Sequence, residues 1–273
     1  DPGKSVYSIP EINIEDISSS LRQYKPLFIP QSQAVVEAES NEPILVDLQL
    51  GNINLHKIKF DYTNDVSALK SNLDLGTLAI RVNKIDLSKL FVSLEEIKLN
   101  STTVNVALGK SQQAVVAKEE VKKEVVAQAN NPWKIEIATI ALDSNQLRYD
   151  DNNFPSATKG IDYNHLAVTN FSFTTKDLVL TPTEYKGNLA KLTFKEQSGL
   201  EIKEMHTAFL YNDKEAVLKD MVLKAGNSTI NTSLYAKYPS IDSVMKNPAL
   251  LYIDAGLTNT AIAVNDLLVI DPA

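Results

Sequence analysis

Cysteine is absent from this 273-residue sequence, which excludes a disulfide framework, a thiolate zinc site and a cysteine nucleophile. Glycine is scarce, nine residues in all, and neither a Gly-rich phosphate loop nor a Gly-x-Ser-x-Gly nucleophile turn occurs. No apolar run approaches the ~18–20 residues that a membrane helix needs. Basic clusters are missing too: 27 Lys and Arg stand against 34 Asp and Glu, for a net charge of −7. No electrostatic footprint for nucleic acid is left. The three histidines, His56, His165 and His206, are far apart, so neither a cofactor nor a metal is expected. An initiator Met and a signal peptide are lacking, and the sequence is expected to be a segment of a longer chain.

What is present is alternation. Leu48, Leu50, Ile53, Leu55, Ile58, Phe60 and Tyr62 are separated by Gln49, Asn54, Lys57, Lys59 and Asp61, the period of a strand with one apolar face. After each pair or triple the spacing slips from two to three, again at Leu75 to Leu78, Val82 to Ile85 and Leu94 to Ile97. A slip in a straight strand would send every later side chain to the other face. A bulge or bend at the slip restores the facing. The predicted fold is therefore all-β, a mainly antiparallel, repeat-built, curved sheet with one apolar face throughout.

The pattern also repeats. Residues 47–64 align without gaps to residues 134–151, so that Leu48, Leu50, Ile53, Leu55, Phe60 and Tyr62 fall on Ile135, Ile137, Ile140, Leu142, Leu147 and Tyr149. With a one-residue adjustment, Leu78 and Ile80 fall on Leu166 and Val168. A weaker third copy runs from Met205 to Asp213. Repetition on this scale points to an array whose units complete one another.

Four segments follow. Residues 1–42, with four prolines and only short strand-like pieces such as Glu11–Asp16, read as an irregular lead-in, and residues 43–110 as a first β block. Residues 111–131, rich in Ala, Val, Lys and Glu, read as a charged linker, helical or disordered. Residues 132–273 read as a second β block, with a short helix near 240–247 that opens on Pro239-Ser240 and ends near Pro248.

No constellation carries bond-making chemistry, and an enzyme is not expected. The run Asp150-Asp151-Asn152-Asn153 lacks the Gly and distal Glu of a calcium loop. Asn64-Asp65 and Asn212-Asp213 stand at the same point of the other copies, so all three read as turns. Glu95-Glu96 and Glu201/Glu204 occupy polar slots of strands and read as solvated faces. The long aliphatic face itself is the candidate site. It is either an ordinary closed core or an open trough for lipid tails, and burying about ten methylenes is worth roughly 8 kcal/mol before ordering costs. The lining residues expected for the trough are Leu48, Leu50, Ile53, Leu55, Phe60, Leu78, Ile80, Ile135, Ile137, Ile140, Leu142, Leu147, Leu166 and Val168.

The stretches Pro132–Tyr149, Ile161–Phe171, Phe194–Ile202, Tyr238–Ser243 and Asn265–Pro272 resemble recurrent units of TamB-like proteins of the AsmA superfamily from Bacteroidota. The resemblance covers roughly residues 43–273 and rests on degenerate patterns rather than catalytic signatures. It implies a β-taco groove in the periplasm, within a long chain anchored in the inner membrane by a helix outside this segment. It also implies phospholipid transport between membranes and outer-membrane protein assembly, with phospholipid acyl chains and an Omp85-type outer-membrane protein as partners. The alternative expectation is a closed-core β-repeat surface or periplasmic protein that binds a protein or glycan.

Overall fold

The computed structural model describes residues 5–25, 46–110 and 133–270. The expected linker and residues 26–42 of the expected lead-in lie outside the described residues. The described chain forms one curved, twelve-stranded, mostly antiparallel sheet with two short helices. Its strands are β1 (Ser5–Gln23), β2 (Val46–Asn64), β3 (Leu69–Asp86), β4 (Phe91–Asn100), β5 (Thr103–Leu108) and β6 (Lys134–Asp151). They continue with β7 (His165–Leu180), β8 (Glu184–Glu196), β9 (Glu201–Asn212), β10 (Glu215–Ala225), β11 (Ser228–Lys237) and β12 (Tyr252–Leu257). Strand order follows chain order. The one exception is that β4 and β5 share a rung, each lying between β3 and β6. Pairing is antiparallel except at two seams, where β1 runs parallel to β2 and β4/β5 parallel to β6. The two gapless sequence copies are β2 and β6, the strands that open after each seam.

Residues 5–23 form β1 rather than an irregular lead-in. Proline is tolerated at a sheet edge or bulge, where its missing N–H removes no ladder bond. Pro10 stands at such a place, on the edge strand and at a skip in the β1–β2 register opposite Gly51. The expected helix is present as α1 (Ile241–Lys246), with Ser240 Oγ accepting from Ser243 N at 3.1 Å. A second helix, α2 (Val264–Ile270), is held to the β10–β11 turn by Asp266, which accepts from Asn227 N and Ser228 Oγ.

The spacing slips are creases. Asp16, Lys57, Ser101, Ser144 and Asn170 all have φ between 51° and 56°, a left-handed conformation uncommon away from glycine. The register sets Asp16 beside Lys57, Lys57 beside Gly76, and Ser101 beside Ser144. One line of bends thus crosses successive strands, and because paired strands bend together their register is kept. A second line passes Pro10, Gly51, Glu95, Ala138 and Asp177 (φ 53°). Bulges free backbone groups, and buried polar groups need partners. Asn145 Oδ1 accepts from Thr102 N at 3.0 Å while its Nδ2 donates to the Leu99 carbonyl at 3.1 Å. Thr175, 1% exposed, donates to the Asn188 carbonyl, and Thr207 donates to the Lys219 carbonyl. These three buried polar side chains are stitches of the creases and bulges.

Only four apolar residues are buried among those described: Leu75, Ile137, Ala236 and Tyr238. Two sheets packed face to face would bury the inner residues of every strand. The described residues form a single sheet, and its apolar face lies without such a second layer.

Candidate functional site, an apolar face bent across the sheet

Cross-strand partners share a face, so the register shows where the expected lining goes. One row reads Ile14, Leu55, Leu78, Leu99, Leu142, Phe173, Leu192 across seven adjacent rungs. The next reads Ile12, Ile53, Ile80, Ile97, Ile140, Thr175, Leu189. Beyond the first crease Phe60, Leu73, Val104, Leu147 and Val168 are aligned, and Tyr149 faces Leu166. Beyond the second, Leu50 stands opposite Ile9, and Ile135 and Ile137 opposite Leu180 and Leu178. The backbone of Leu48 pairs with Tyr7, while its side chain lies outside the described ones. Ile137 is buried, Phe60 and Leu147 are 36% and 44% exposed, and the other described lining residues are half-buried.

The crease brings both sides of this face to one point. An apolar hollow of about 370 Å³ is lined by Leu99, Thr102, Val104, Leu142, Asn145, Gln146, Leu147, Val168, Phe171 and Phe194. Leu142 and Leu147 are an odd number of residues apart, yet they line the same hollow because Ser144 is left-handed between them. Leu99, Val104, Phe171, Phe194 and Leu192 were not among the lining expected from sequence, although β4, β5, β7 and β8 carry the same alternation. The opposite face is polar: Asn54 bonds Asn13 and Arg81, Asn72 bonds Asp61 and Asn105, and Lys59 pairs with Asp74.

One correspondence changes. Leu55 and its counterpart Leu142 pair with Leu78 and Phe173, and Ile53 and Ile140 pair with Ile80 and Thr175. The counterparts of Leu78 and Ile80 are therefore Phe173 and Thr175, not Leu166 and Val168. Aligning the second arms by sequence missed this because residues 65–68 connect the first hairpin whereas residues 152–164 connect the second.

The acidic-amide runs are turns. Asn64 Oδ1 accepts from the N–H of Val66 and Ser67, Asp151 Oδ1 from Asn153, and Asn212 Oδ1 from Lys214 and Glu215. No group of three or more His, Asp or Glu among the described residues is placed to hold a metal ion. Of the carboxylates weighed above, Glu96 pairs with Lys98, Glu201 with Lys195 and Glu204 with Lys224, on the solvated side.

His165 is buried at the start of β7, where Nε2 lies 3.0 Å from the Phe154 carbonyl and Nδ1 3.4 Å from Asp150 Oδ1. Both ring nitrogens are engaged, leaving none to take a proton from a neighbouring hydroxyl. The Phe154 carbonyl, and then Asp150 and Asp162, raise its pKa against the opposing effect of burial. A raised folded-state value stabilises the fold below the ordinary histidine range and loses that contribution as pH rises through the raised value. The Tm deficit of His165→Gln relative to the parent should thus be larger at about pH 5.5 than at about pH 8.5. Scanning calorimetry at both values checks it, and an equal or reversed deficit rejects the assignment.

No protein-family model matches this chain, and no curated protein matches it.

Proposed function

We propose that this chain is a lipid-handling segment whose creased apolar face cradles acyl chains without turning them over chemically. The single observation that carries this reading is the pair of rows across seven rungs, apolar save for Thr175, opening on an apolar hollow with no second sheet over it among the described residues. Contiguous exposed apolar surface marks a binding surface, and a hollow lined mainly by Leu, Val and Phe, on a sheet whose other face is polar, suits hydrocarbon tails. The resemblance to TamB-like proteins gives the same reading a setting. There the segment belongs to a longer periplasmic chain anchored in the inner membrane, carries phospholipid between membranes during outer-membrane assembly, and acts with an Omp85-type partner. The competing closed-core module has less support, because a closed core would bury far more than the four apolar side chains buried among the described residues.

The test is site-specific photo-crosslinking in cells. A benzophenone residue at Leu55, Leu78, Leu142 or Val168 should label phospholipid. The same group at the neighbouring Asn54, Ala79, Ala141 or Ala167, on the polar face, should not. Equal labelling from both sets sinks the proposal.

A further inference from the structure

The first strand stands where another strand's partner should be. β1 lies against β2 as β4/β5 lies against β6, parallel in both cases. Ile9, Ile12 and Ile14 oppose Leu50, Ile53 and Leu55, just as Leu94, Ile97 and Leu99 oppose their counterparts Ile137, Ile140 and Leu142. The left-handed residue falls at the same point, Asp16 in one and Ser101 in the other. The resemblance ends at the far edge. There β4/β5 is covered by antiparallel β3, whereas β1 has no further neighbour among the described residues and leaves Tyr7, Ile9, Ile17 and Leu21 more than 40% exposed. A long, unpaired edge with one apolar face is a template for another strand.

We infer that the open edge of β1 is a docking site for one antiparallel strand of β3-like chemistry, supplied from outside this sequence. The register defines the occupant. It carries aliphatic residues at alternate positions, a glycine at the Asp16 crease as Gly76 lies at that of Ser101, and a basic residue opposite Glu11 as Arg81 lies opposite Glu96. A second copy of this chain fits less well. Two antiparallel β1 strands aligned so that Pro10 and Asp16 coincide would set Glu11 against Glu15, and like charges directly opposite are destabilising. β12, the other edge without a further neighbour among the described residues, offers six residues to β1's nineteen and carries Asp254. This inference is independent of what the apolar face holds.

The probe is a fluorescent peptide of residues 69–86, titrated by anisotropy into the whole chain, with hydrogen exchange on the complex. Saturable binding that protects amides within residues 7–21 is expected. Glu11→Lys should weaken it about threefold, and a peptide carrying Arg81→Glu should recover the loss. Absence of binding overturns the inference, as does indifference to the charge exchange. So does an outer β1 edge already protected in the free protein, which would mean cover from within. Concentration-dependent self-association through β1 overturns it in favour of a second copy.

Discussion

Leu142→Lys should strip the protein of bound lipid by at least about tenfold, whereas Ala141→Lys, one residue away, should leave binding unchanged. Leu142 sits within a seven-rung apolar row and lines the hollow at the crease. Ala141 faces the other way, between Lys98 and Thr174. An ammonium set against acyl chains gives up solvation without gaining a partner, at a cost of about 2 kcal/mol or more, which corresponds to the stated factor. Quantifying phospholipid that copurifies with each variant reads the effect directly. Urea midpoints of the two variants keep loss of lipid distinct from loss of fold. If both lysines have the same effect on bound lipid, the apolar face is not where lipid sits.

A second large effect belongs to the crease. Gly76→Ala should lower stability by about 2–4 kcal/mol and the Tm by about 5–12 °C. A Cβ at residue 76 would stand 2.7 Å from the carbonyl oxygens of both Asn100 and Ser101. Those oxygens are backbone on the neighbouring rung, so relief requires the two strands to part where they bend together. Gly256→Ala is the control, because a Cβ there meets nothing within 4 Å. Chemical denaturation of both variants decides the matter, and equal stability would mean that the crease tolerates spreading.

Much of this architecture was legible in residue spacing because strand geometry enforces it. The slip Leu55 to Ile58 predicted a bend that returns side chains to one face, and left-handed Lys57 is that bend, with Ser144 its counterpart in the second copy. The amide turns were legible because an Asx side chain bonds backbone only two or three residues ahead. Where partners are distant, spacing carried no signal. That β4/β5 and β6 run parallel depends on the path of the chain between them, which alternation does not encode. Pro10 read as a strand breaker because edge position is a tertiary property. Nor does spacing mark Thr175 and Asn145, whose burial follows from carbonyls and amides freed by neighbouring bulges. The long connection at residues 152–164 shifted the pairing of β7 and so misplaced the match to Leu78.

The aliphatic rows run at right angles to the strands that supply them. Each rung therefore adds about 4.8 Å to the row, and the row from Ile14 to Leu192 extends about 29 Å, close to the ~30 Å hydrocarbon thickness of a bilayer. Lengthening a strand would widen such a path without making it reach further. Reach is counted in hairpins, so a distance between two membranes would be matched by how many units a protein strings together.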